Sequence, residues 1–165
     1  MTDEYELLEE ITSKVQDVFF EDYWDSGRND DIDPILVGFN SRNFDHPYIG
    51  ARFSRKRLNA DWFGHRAKRL DMMRVAGKVD AISDFPSQDD YAEYLGHTTE
   101  DEYDGSMMPE FFEKKQMDKI EAHVKRDIKE LAMCFVEDKE NAMEHFYDHY
   151  DIGKSATFPS GVSDW

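Results

Sequence analysis

No apolar run in the 165 residues approaches the ~20 needed to span a bilayer. The first residues, Met1-Thr2-Asp3-Glu4-Tyr5-Glu6, have neither the cationic nor the apolar region of a secretory signal. A single cysteine, Cys134, excludes an internal disulfide, and its place in an apolar helical pattern reads as a small buried hydrophobe. Together these absences predict a soluble, cytoplasmic chain. The pattern of a phosphate loop is incomplete as well. Gly153-Lys154-Ser155 has the end of one, but Asp148 stands where the first glycine is required. No cofactor is therefore expected.

Apolar residues are also scarce, at 39% against the roughly 45–50% of an ordinary domain. Leu, Ile, Val and Phe together number 35, close to the range where chains stay disordered. Twelve Phe, eight Tyr, three Trp and eight Met offset this, because each buries a large area. The composition predicts one mainly helical domain over residues 1–153 with a small aromatic core, then a flexible tail over 154–165 rich in Gly, Ser and Pro.

Charge organises the chain more clearly than hydropathy does. The formal net charge is −17. Residues 1–33 carry a net −10, residues 34–79 a net +7, and residues 80–113 a net −11 without a single Lys or Arg. The chain is blocky, not uniformly acidic.

Asp3 and Glu6 have capping-box spacing, and Leu7, Leu8, Ile11, Val15, Val18 and Phe19 follow at helical period, which predicts a first helix ending near Glu21. Residues 25–34 are turn formers and read as a loop. Ile35–Phe39 and Tyr48–Ser54, flanked by Pro34 and Pro47, suit two short antiparallel strands joined by Asn40–Pro47. Leu58–Val79 reads as a helix, with a short helix around Tyr91–Leu95. Pro109 suits the start of a long helix. Met117, Ile120, Val124, Ile128, Leu131 and Phe135 give its apolar stripe, and Glu137–Glu140 mark a break before a last helix. The fold class expected is mainly α (α+β), a helical domain carrying a small antiparallel two-stranded ribbon.

Three constellations could carry function. On the first helix Glu6, Glu10, Asp17 and Glu21 share a narrow arc with Asp3, and on the last Glu137, Glu140, Glu144 and Asp148 do the same. Carboxylates one turn apart repel unless a cation is near. Such rows either solvate a face or present a phosphate-like ladder to a protein that grips nucleic acid. The basic 42–78 block interleaves Arg52, Arg55, Lys56, Arg57, Arg66, Lys68, Arg69 and Arg74 with Tyr48, Trp62 and Phe63, the ingredients of an RNA or single-strand surface. Arg66 and Arg69, however, project near the apolar positions, which favours internal pairing, with residues 80–113 as the nearest carboxylate supply. His145 and His149, four apart, could share a metal. The zinc-protease pattern fails there because position 146 is Phe, not Glu.

The function expected is that of an acidic cytosolic inhibitor or adaptor, not an enzyme. It would dock its carboxylate rows on a basic, nucleic-acid-handling partner, as phage or mobile-element counter-defence proteins of the nucleic-acid-mimic type would. A metal-dependent hydrolase built on the last helix, or an RNA- or DNA-binding accessory factor built on the basic block, are the alternatives.

Overall fold

A computed structural model describes residues 4–17, 35–58, 63–64, 67–79, 82, 85–97 and 103–150. The 25–34 loop, the helix end expected near Glu21 and the 154–165 tail lie outside the described residues. The chain forms two compact units, Met1–Asp71 and Met72–Trp165. Among the described residues no helix is long and apolar enough to cross a membrane.

The first unit holds helix α1 (Glu4–Gln16), strand β1 (Ile35–Gly38), helix α2 (Asp45–Lys56) and strand β2 (Lys68–Asp71). The two strands pair in parallel, Ile35 opposite Lys68 through Gly38 opposite Asp71. The expected antiparallel ribbon is therefore wrong in both partner and direction. Tyr48–Ser54 is helical, and the second strand comes from the 58–79 stretch read as helix. Pro47 explains the first error. It is the third residue of α2, in the first turn, whose N–H groups have no acceptor within the helix, so proline starts this helix instead of flanking a strand. The crossover through α2 explains the direction, because parallel strands need a connection of about a dozen residues or more, usually a helix.

Leu8, Phe53 and Phe63 are buried together, with Val15, Leu36, Ile49 and Leu58 packed against them. His46 meets the edge of Phe63 at 5.8 Å between centroids. The turn after β1 is fixed by Asp71 at the end of β2, whose carboxylate accepts from Asn40 N (2.7 Å) and Arg42 N (3.3 Å). That bond holds Asn40 in the left-handed region at φ 52°. Gly38 is required there, because a methyl group at 38 would run into the side chain of Ser41.

The second unit contains α3 (Met72–Ala76), α4 (Gln88–Tyr94), α5 (Met108–Glu113), α6 (Met117–Glu137) and α7 (Lys139–Tyr150). A capping box starts α4, with Ser87 accepting from Asp90 N and Asp90 accepting from Ser87 N. Pro109 does open a helix, but the short α5; Lys115 at φ 57° then turns the chain before α6. The α6–α7 break falls at Asp138, as the charged run 137–140 predicted, and it is slight. Asp138 N–H still bonds Cys134 O at 3.0 Å, and Ala142 N–H bonds Asp138 O at 3.0 Å.

Helix α6 has the predicted period but not the predicted orientation. Its buried residues are Glu130 and Cys134, both 0% exposed, and His123 is tucked in on the same side. Val124, Ile128 and Val136 are 46%, 62% and 64% exposed. Helices α4, α5 and α7 pack on α6, and its fully buried positions, Glu130 and Cys134, lie beside the apolar stripe and not in it. Periodicity identifies a helix; it does not say which flank its neighbours cover.

Candidate functional site

The acidic rows are laid out by helix geometry. On α7 the buried side chains are Ala142, Met143 and Phe146. Glu140, Glu144 and Asp148 sit roughly 150° around the helix from them, and all three are exposed. Glu137 closes α6 and is exposed as well, 3.8 Å from Nε2 of His97. In sequence the four carboxylates are three or four residues apart, with the Asp138 junction between Glu137 and Glu140. On α1, Leu8 faces inward and Glu6, Glu10 and Asp17 face nearly the opposite way, each exposed. Lys14 is 2.9 Å from Glu10 and its ammonium pKa is raised by that contact. Glu21 lies outside the described residues. The described carboxylates of the two rows are thus exposed, Glu6, Glu10 and Asp17 in the first unit and Glu137, Glu140, Glu144 and Asp148 in the second.

The basic block is engaged from within its own unit. Glu4 of α1 receives a two-pronged hydrogen bond from the Arg52 guanidinium and has Lys56 Nζ at 3.5 Å. The Arg52 bond holds the Glu4 carboxyl below its ordinary pKa. Arg52 also lies over the Tyr48 ring, 5.9 Å from its centroid. Arg69 Nη2 donates to Phe63 O at 3.3 Å, and its guanidinium covers the Phe63 ring at 5.5 Å. A guanidinium on a ring face and a fork-to-carboxylate pair are what arginine does at a core boundary. For Arg52 and Lys56 the carboxylate partner comes from α1, ahead of the block. Arg66 and Trp62 lie outside the described residues.

The His145 and His149 rings stack at 6.3 Å between centroids, 19° from parallel. Burial, then the charges of Lys78, His149 and Arg74, hold the His145 imidazole pKa below its usual value. Cations on that side oppose a metal as they oppose a proton. Among the described residues no three His, Cys, Asp or Glu come together to hold a metal ion.

A polar cleft in the second unit, about 350 Å³, was not anticipated. It is lined by Ser87, Asp89, Asp104, His123, Arg126 and Asp127 among others. Arg126 Nη2 is 3.0 Å from Asp127 Oδ1 and 3.3 Å from Asp89 Oδ1, while His123 Nε2 is 3.4 Å from Asp127 Oδ2. Backbone and side-chain hydrogen bonds from Ser106, with a smaller effect of His123, lower the Asp104 pKa. Arg126 is shared by two carboxylates, so the cleft presents mainly acceptor oxygens. The i, i+4 spacing of His123 and Asp127 was its one sequence signal. Compared with known family models, curated proteins and solved structures, the chain matches none of them.

Proposed function

We infer that the protein is a non-enzymatic binding protein whose carboxylate rows dock on a cationic surface of a partner that ordinarily handles nucleic acid. The observation that carries this reading is the α7 row. Three carboxylates one turn apart stand on the face opposite the packed side, with a fourth, Glu137, continuing the spacing. Such a row offers a cationic surface the charges it would otherwise find on phosphates. The engagement of Arg52 and Lys56 by Glu4 supports the same reading, since it draws the basic block away from a nucleic-acid role.

The test is capture of partners from lysate by the immobilised protein, with salt and duplex DNA as competitors. A partner bound through the rows is released by DNA and by raised salt, and is lost when Glu140, Glu144 and Asp148 are changed to Lys. Retention that ignores salt, DNA and the reversed charges overturns the reading.

A further inference from the structure

In a chain with 37 Asp and Glu against 20 Lys and Arg, carboxylates are in surplus. Cations such as Lys14, Arg52, Lys114 and Arg126 have one beside them. Arg74 and Lys78 do not: among the described residues neither has a carboxylate at ion-pair distance. Met72, Val75 and Ala76 seat α3 on the interior, which leaves Arg74 exposed. Gly77 N–H bonds Met73 O at 2.9 Å and Lys78 N–H bonds Val75 O at 3.0 Å, so helical winding runs on past Ala76. That sets Lys78 one turn beyond Arg74, exposed as well.

Helix α3 packs on α7. On α7, His145 and His149 lie roughly 120° around from the acidic row, on the flank between it and the buried side. Their rings stack at 6.3 Å between centroids. Burial acts first on His145; the charges of Lys78, His149 and Arg74 follow, against the opposite pull of Asp148, so the imidazole is neutral at pH 7. Basic side chains from two helices thus meet at one place where positive charge prevails. A carboxylate has two oxygens to offer such a cluster. A phosphate group has three acceptor oxygens and about two negative charges, enough to take bonds from a guanidinium, an ammonium and an imidazole together. It would also reverse the field of Lys78 and Arg74 and draw the imidazoles into their protonated form. A nucleic-acid strand fits less well, because Glu140, Glu144 and Asp148 on the adjoining arc repel a long polyanion.

We propose that Arg74, Lys78, His145 and His149 form a binding site for a phosphate group, carried by a small phosphorylated molecule or free as inorganic phosphate. The site is separate from the acidic rows and stands whether or not they dock on a partner.

Isothermal titration calorimetry on the full chain at low ionic strength tests this with inorganic phosphate, glycerol phosphate and sulfate. All three should bind, and the tighter of the first two names the source. Arg74→Gln and Lys78→Gln, both at exposed positions, should each weaken the three anions about tenfold, the worth of one hydrogen bond to a charged group. Sulfate keeps its two charges throughout, so its binding should tighten several-fold from pH 8 to pH 6 as the imidazoles take up protons. His145→Gln, or His149→Gln at the more exposed position, should flatten that trend. Absence of binding by all three anions overturns the proposal, and so does affinity that ignores Arg74→Gln and Lys78→Gln. A flat sulfate profile in the unaltered chain removes the histidines and overturns the site as stated. A DNA oligomer that binds more tightly than either phosphate gives the cluster to nucleic acid. A dimer in sedimentation that Arg74→Gln dissociates gives it to the acidic row of a second copy. Either result overturns the proposal.

Discussion

Replacing Tyr91 with Phe removes a single hydroxyl from the interior of the second unit. Tyr91 is 0% exposed, and its phenol donates to Oδ2 of Asp138, the residue at which α6 gives way to α7. A hydrogen bond to a charged acceptor contributes about 1.5–3 kcal/mol. Asp138 is only half-buried and keeps a second bond, from Asn141 Nδ2 at 2.6 Å, so its carboxylate can be partly rehydrated. The expected cost of Tyr91→Phe is therefore at the lower end, about 1.5 kcal/mol. Tyr91→Ala, which also empties the ring's site, should cost about 3–5 kcal/mol. Urea unfolding followed by circular dichroism measures both. A double-mutant cycle with Asp138→Asn isolates the bond and should return a coupling of about 1 kcal/mol. Coupling below about 0.3 kcal/mol would refute the assignment of Asp138 as the partner that secures the junction. Alkali supplies an independent check. Burial, then the Asp138 bond, raises the Tyr91 phenol pKa well above its ordinary value. The unfolded chain loses that proton near pH 10 while the native chain keeps it, so stability falls as pH rises through 10. Tyr91→Phe should remove that share of the alkaline slope.

Burial, followed by the charge of Arg69 and with Arg42 adding to it, holds the His46 pKa low against the opposing pull of Asp45 and Asp71. The unfolded chain takes up this proton first, so the first unit should lose stability as pH falls below about 6.5, and His46→Gln should flatten that limb of a pH–melting curve. Gly38→Ala forces its methyl group into Ser41 and should cost about 1–3 kcal/mol in urea unfolding, with Ser41→Gly restoring part of it. Burial pushes the Cys134 thiol up to about 11, so a disulfide reagent at pH 8 should react with it only as fast as the second unit opens. Native-state modification at the rate of a free thiol would contradict its burial.

How legible these features were in the sequence follows from what each signal measures. The apolar spacing of α6, the capping of α1 and the charged run before α7 are local, and the corresponding helices are present. Lys68-Arg69-Leu70-Asp71 has no strand propensity; its pairing with β1 is imposed by neighbours distant in sequence. Tyr48–Ser54 was ambiguous because Ile49 and Phe53 fit a helix as well as a strand, and Pro47 has opposite meanings at a first turn and at a flank. That the carboxylates of each row share an arc follows from the helix period alone; that the arc faces solvent depends on which side the neighbouring elements cover. The exposure of Val124, Ile128 and Val136 could not be read in the same way, since it depends on where the other helices pack on α6.

The parallel pairing of β1 with β2 also sets an order of assembly. Joining these strands closes the whole 39–67 segment, a loop whose entropy must be surrendered before any ladder bond forms. α6 and α7, joined through Asp138 alone, meet without closing any loop of that size. Contacts so near in sequence form early, whereas a crossover pair forms late and reopens first. In native-state hydrogen exchange the ladder amides of Ile35–Gly38 should therefore open ahead of the amides at the centre of α6. The ladder is thus expected to close after the helices on either side of it have formed.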